Sequence, residues 1–402
     1  MEEGYLSLRV RELAPSATQA MNMRAKKLKA EGNDVISFSV GEPDFKTPKH
    51  IQEAAKKAID DGWHAYTPNA GTPELRQAIA EALTRDTGAE YTAAQVVAST
   101  GAKFSIYLSL LALLNKGEEV IIPAPYWVSY PEMVRLCGGK PVVVHSSEKE
   151  AFAVSPAALE AAITDRTKLV ILNSPSNPTG QVYPARTIEK IGDLLEKRKL
   201  WCISDEIYNH FIFGDHGHKS VATVSEYCRE HTITVNGCSK TYAMTGWRLG
   251  WIGAPARVAK AIDDLQSQTT SNPAAITQAA GIAALKGPQD CVLEMVAEFD
   301  KRRFIIHDML NDIDGVVCSM PSGAFYALPN VSALFGGTIA GVKVECSNDL
   351  CNVLLDKAHI AAVPGEPFGA PNHIRMSFAT DAGSIEEGCR RFKNLVEKGE
   401  GV

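Results

Sequence analysis

An α/β architecture, with a mostly parallel sheet in a large domain and a smaller α/β domain after it, follows from two patterns in this 402-residue chain. From about residue 75 to 260, short apolar strands alternate with helical stretches. From about residue 296, a helical run is followed by mixed strand-like and helical pieces. Alternating β and α segments place parallel strands beneath covering helices. Composition agrees: 45% apolar and 22% charged residues suit a globular enzyme with a large core.

The strands are runs of four or five residues rich in Val and Ile, the pattern of strands covered on both faces. They are expected at 96–99, 119–122, 141–144, 169–172, 200–204 and 232–235. Helical spacing falls between several of them, at 104–114 and 187–196, and again at 298–310. The Leu-rich part of the first helix reads as core. The expected division is an N-terminal arm with part of the small domain at 1–45, a large domain at 46–295 and a small domain at 296–402. Ligands of such sheets bind outside the carboxyl ends of the strands.

Charge and cysteine usage exclude several functions. A net charge of −6 argues against nucleic acid as partner. No apolar run approaches the roughly 18 residues of a membrane helix. Nine scattered cysteines, with no Cys-x-x-Cys pair, fit reduced thiols. The ten histidines form no metal-ligand spacing, so no metal is expected. The first residues lack the apolar core of a secretory signal. A cytoplasmic location is expected, or an organelle stroma or matrix if a transit peptide has been removed.

Four loops at strand ends carry the chemistry. Ser99-Thr100-Gly101-Ala102-Lys103 opens a helix with free amides that attract a phosphate, or is a plain strand–helix turn. Asn173-Ser174-Pro175-Ser176-Asn177-Pro178-Thr179-Gly180 is a rigid loop able to aim the Asn177 amide at a ligand. Ser204-Asp205-Glu206-Ile207-Tyr208 ends a strand with a carboxylate that needs a cationic partner if buried. A protonated pyridine nitrogen is such a partner, and Tyr208 is expected one helical turn further on; an N-cap aspartate with a packed tyrosine is the plain alternative. Gly237-Cys238-Ser239-Lys240 places a lysine among small residues after a buried strand, suited to form an imine with an aldehyde cofactor. A surface lysine is an equal reading of that window alone. Arg248, eight positions on, offers a planar fork for phosphate.

These windows, in order, resemble the class I aminotransferases of pyridoxal-phosphate fold type I. The stretch Gly237–Gly250 matches that family's lysine signature. Gly41-Glu42-Pro43-Asp44, Tyr66 with Asn69-Ala70-Gly71, Pro125-Tyr126-Trp127, Asn177-Pro178-Thr179-Gly180, Asp205-Glu206-Ile207-Tyr208 and Arg375-Met376-Ser377 match in sequence order. The run Pro125–Met133 is similar to the Ib aspartate aminotransferases, some of which also use prephenate. The resemblance implies pyridoxal 5′-phosphate as cofactor and a Lys240 imine as the resting link in a ping-pong transfer. It implies that Asp205 keeps the pyridine nitrogen protonated, that Tyr208 and Asn177 bond the ring oxygen, and that Trp127 stacks on the ring. The amides of Gly101, Ala102 and Lys103, with Ser239 and Arg248, are implied to hold the phosphate. Tyr66 is implied to reach the phosphate of a neighbouring subunit, making a homodimer with shared sites. Arg375 is implied to clamp the substrate α-carboxylate, with the Gly41 backbone closing over it.

Lys103, helped by Thr18, is implied to bind a distal carboxylate. That favours L-aspartate and 2-oxoglutarate among amino acids and 2-oxo acids. Prephenate-active bacterial relatives carry a lysine where this chain has Ala14, which leaves prephenate use open. A carbon–sulfur β-lyase, or an aminotransferase for aromatic or neutral amino acids, shares the fold and the lysine, but neither needs Lys103. A regulator fused to a DNA-binding domain is disfavoured, because the match starts near residue 8 and the chain is acidic.

Overall fold

The computed structural model describes residues 5–402. Its centre is a seven-stranded sheet of β1 (Val96–Ser99), β2 (Glu119–Ala124), β3 (Lys140–His145), β4 (Thr167–Asn173), β5 (Trp201–Asp205), β6 (Thr232–Gly237) and β7 (Gly250–Gly253). The spatial order is β1-β7-β6-β5-β4-β2-β3. Strands β2 to β6 pair in parallel, and β7 runs antiparallel to both β1 and β6. All six strands expected from sequence are present, with ends moved by up to two residues. The seventh, β7, was not expected; its Gly-Trp-Ile-Gly run has too few β-formers to stand out.

Side-chain alternation along the strands builds two separate apolar layers. Leu169 and Ile171 of β4 pack on one face with Ile106, Leu108 and Leu110 of α1 (Ala102–Leu113). Val170 and Leu172 pack on the other face, against Ile188, Ile191 and Leu195 of the helix Ala185–Arg198. Burial on both faces explains why these strands read as unbroken apolar runs.

A third core joins the C-terminal elements. The long helix Asp290–Asn311 packs on Ala382–Lys398, and Phe211, Phe299, Phe325 and Phe378 meet between them and the sheet. That helix starts eight residues before the expected 298, carried by apolar residues at Val292, Met295 and Phe299. It runs without a break through residue 296. A small antiparallel sheet orders β9 (Val363–Pro364), β10 (Ile374–Ser377) and β8 (Tyr326–Ala327), with β10 central. No helix among the described residues is long and apolar enough to cross a membrane.

Candidate active site

The carboxyl ends of β4, β5 and β6 open into a cavity of about 490 Å³, closed on the far side by β8, β10 and the 40–42 loop. Thr18, Gly41, Ala102, Lys103, Trp127, Asn177, Asp205, Tyr208, Ser239, Lys240, Arg248 and Arg375 all line it. Two of the expected residues stand apart. Gly101 lies just behind the wall, against Arg248. Tyr66 is 92% exposed and outside this cavity.

Lys240 sits in the single turn Cys238–Thr241 that follows β6. Its Nζ donates to the Gly41 carbonyl at 2.6 Å. Desolvation lowers its pKa to about 8; Glu42 opposes that shift, and the nearby Arg375 and Arg248 add to it. An amine with a lowered pKa is a better nucleophile near neutrality.

Asp205 ends β5 and is buried. Desolvation raises its carboxyl to about 6, against the stabilising hydrogen bonds it accepts. Its Oδ2 accepts from the Tyr130 phenol at 2.6 Å, and its Oδ1 from the Ile207 amide at 3.3 Å. Glu206 next to it faces away, accepting from Ser204 at 2.8 Å and Ser220 at 2.7 Å, with His218 Nε2 at 2.8 Å. Tyr208 is not on a helix, contrary to expectation. Residues 207–210 form a turn, with Asn209 N donating to the Glu206 carbonyl and Phe211 N to that of Tyr208. Two constraints hold it there: Glu206 is tied to Ser204, Ser220 and His218, and Phe211 is drawn into the aromatic core. The turn brings the Tyr208 hydroxyl within 2.8 Å of that of Tyr326.

Arg375 on β10 is 2% exposed and has no acidic partner among the described residues. Its guanidinium donates to Asn177 Oδ1 at 3.1 Å and to the Ser39 carbonyl at 2.6 Å, while its Nε is left without an acceptor. Rings of Tyr326 and Phe368 lie on it at 4.8 and 5.1 Å. A buried, unpaired guanidinium with a free donor is a site built for an anion.

At the other wall, Gly101 caps α1 with φ +88°, and a Cβ there would stand 2.4 Å from Arg248 Nη2. The first amides of a helix have no intrahelical acceptor. They and Arg248 therefore converge on one spot suited to phosphate. Arg248 itself takes a left-handed φ of 56°, strain of a kind that accumulates at ligand sites. Lys103 Nζ lies 4.8 Å from the Trp127 ring, its pKa lowered by desolvation and by Arg248. Among the described residues no cluster of three His, Cys, Asp or Glu is placed to hold a metal.

Sequence reasoning missed Tyr130, Tyr326 and Glu42, all in the cavity wall. Tyr130 had one available signal, since a buried tyrosine needs a partner for its hydroxyl.

Residues 33–392 match the family model "Aminotransferase class I and II". An aspartate aminotransferase of Geobacillus stearothermophilus is 44% identical, covering 98% of this chain and 99% of its own length. An aspartate/prephenate aminotransferase of Cereibacter sphaeroides is 43% identical, covering 97% and 98%. The solved aspartate aminotransferase of Thermus thermophilus with maleate superposes with a TM-score of 0.92 at 38% identity, over 97% of this chain and 99% of that one. With a matching family model across most of the chain and relatives similar along its whole length, this protein belongs to the class I and II aminotransferases.

Proposed function

We propose that the protein is an aspartate aminotransferase that moves the amino group between L-aspartate and 2-oxoglutarate with pyridoxal 5′-phosphate as cofactor. The observation that carries this reading is a pair of cations, Arg375 and Lys103, lining the same cavity as Lys240. A dicarboxylic substrate needs both, one for each carboxylate. The relatives named for aspartate, and the one crystallised with the dicarboxylate maleate, support the same substrate class.

The residues fit the cofactor. A buried carboxylate at Asp205 suits a ring cation, the Gly101–Lys103 amides with Ser239 and Arg248 suit a phosphate, and Lys240 supplies the amine. Asn177 and Tyr208 would hydrogen-bond the ring oxygen and Trp127 would cover the ring. When bound, the cofactor supplies the electron sink that makes loss of the Cα proton feasible. Lys240, with its Nζ in the cavity, would act as the base that takes the substrate's Cα proton, a role worth roughly 10²–10⁴-fold. Asp205 would pair its buried charge with the cofactor's ring cation, so that neither charge is buried alone. Arg375 clamps the α-carboxylate beneath the Gly41 backbone, and Lys103 with Thr18 holds the distal one.

Four finer points belong to the same reading. Prephenate is a second amino acceptor, as for the Cereibacter relative by its name. The protein works as a homodimer in which Tyr66 serves the partner's phosphate; its exposure outside its own cavity supports this. The N-terminal segment belongs with the small domain, supported by parallel pairing of Ile36–Ser37 with Ile360–Ala361. Cysteines that are all free favour a reducing, cytoplasmic setting.

The substrate assignment is tested by Lys103→Ala. A charged hydrogen bond of about 1.5–3 kcal/mol predicts at least a tenfold rise in KM for aspartate and a much smaller one for alanine. Equal effects on both would refute a distal-carboxylate role and favour an enzyme for neutral or aromatic amino acids. Pyruvate release from cystathionine at a rate above transamination would favour the β-lyase instead.

A further inference from the structure

We propose that Tyr130 acts through Asp205: its phenol donates to Oδ2 and so holds the carboxylate in the ionised form that meets the ring nitrogen of the cofactor. The inference rests on the cofactor reading above.

The geometry is specific. Tyr130 is 2% exposed and begins the helix Ser129–Leu136, with its amide tied to the Trp127 carbonyl at 3.0 Å. Its ring is held edge-on to Trp127 with centroids 5.3 Å apart. The phenol is thus a fixed arm, and its one hydrogen-bond partner among the described residues is Asp205 Oδ2, at 2.6 Å. O–H···O⁻ contacts of that length are among the stronger hydrogen bonds. Among the described residues the only other donor to the carboxylate is the Ile207 amide, at a long 3.3 Å.

Other groups around Asp205 do not replace it. Glu206 works against ionisation, and Lys240 favours it more weakly than Tyr130 does. The Tyr208 hydroxyl is engaged with Tyr326, and His218 with Glu206. Removing the phenol therefore leaves a desolvated carboxylate with one weak donor, and its protonated form gains.

The test uses the full-length protein freed of cofactor and titrated with pyridoxamine 5′-phosphate, which needs no covalent bond to Lys240. Affinity is followed by tryptophan fluorescence between about pH 5 and about pH 8, a range that brackets a carboxyl raised by burial. Four proteins are compared: wild type, Tyr130→Phe, Asp205→Asn and the double variant. The expected result is near-equal affinity for wild type and Tyr130→Phe at the alkaline end. On the acid side, loss of affinity begins about one pH unit higher in Tyr130→Phe, a roughly tenfold change in proton affinity. In the Asp205→Asn background, Tyr130→Phe then has no further pH-dependent effect. A uniform loss at every pH would reveal a merely structural tyrosine and overturn the proposal. So would an unmoved acid limb, or a shift that survives in Asp205→Asn. A wild-type protein that fails to bind the probe at any pH overturns the cofactor reading and this inference together. Binding by the wild type with an unchanged Tyr130→Phe profile overturns the inference alone.

Discussion

Lys240 is made reactive by its surroundings. An ordinary lysine, with pKa near 10.4, leaves on the order of one amine in 3,000 neutral at pH 7. Desolvation and two neighbouring guanidinium groups bring Lys240 to about 8, so roughly one in ten is neutral there. Only the neutral amine attacks an aldehyde. The rate at which the cofactor-free protein captures pyridoxal 5′-phosphate should therefore rise with pH through a midpoint near 8. Stopped-flow absorbance measures it, and a midpoint above about 10 would mean a solvated lysine. Arg375 shows the complementary logic. Its burial without an acidic partner among the described residues is costly, and a carboxylate beside the Nε would relieve that cost.

At the scale of elements, the site depends on close approach between α1 and the Arg248 loop. Gly101→Ala should destabilise the fold by about 1–3 kcal/mol, because φ +88° with ψ 154° is a backbone region open essentially to glycine alone. It should also weaken cofactor binding, because the new Cβ collides with Arg248. Gly88→Ala is the control: φ is +81° at a helix end with open space around it. Its left-handed helical conformation should cost about 1–2 kcal/mol on substitution, with cofactor affinity kept. Melting curves with a cofactor titration separate the two, and equal affinities would contradict the phosphate role of this helix end. How far the sequence disclosed these elements follows from the range of each interaction. β1, β2 and β4 to β6 were legible because burial on both faces favours runs of apolar and β-branched residues, and β3, a half-exposed edge strand, through its three consecutive valines. Lys240, Asp205 and Asn177 were legible because they follow such runs directly. β7 was not, since its place between β1 and β6 is set by long-range pairing and not by its two glycines. The pairing of Tyr130 with Asp205 spans 75 residues, and the unsatisfied Nε of Arg375 exists only once β10 is buried. Tyr208 was assigned to a helix because local spacing allowed one; the buried Glu206 network imposes a turn.

For the whole molecule, the cavity is assembled from distant parts of the chain: the N-terminal helix Ala17–Ala30, the central sheet and the C-terminal strands. Arg302 braces this arrangement, gripping Asp44 at 2.8 and 2.9 Å and so fixing the loop that carries Gly41. Tyr66, proposed to serve the partner's phosphate, is exposed and outside its own cavity. Light scattering should give twice the 43.4 kDa chain mass. Tyr66→Phe should weaken cofactor binding although its own cavity is untouched; a monomer with full affinity would contradict the shared site. The central claim is transamination of a dicarboxylic amino acid by a Lys240-bound cofactor. Its most direct test is the absorption spectrum of the purified, cofactor-loaded protein before and after L-aspartate, with no oxo acid present. The band of the bound aldehyde form should give way to that of the amine form, and 2-oxoglutarate should restore it. A spectrum that L-aspartate leaves unchanged would contradict the account.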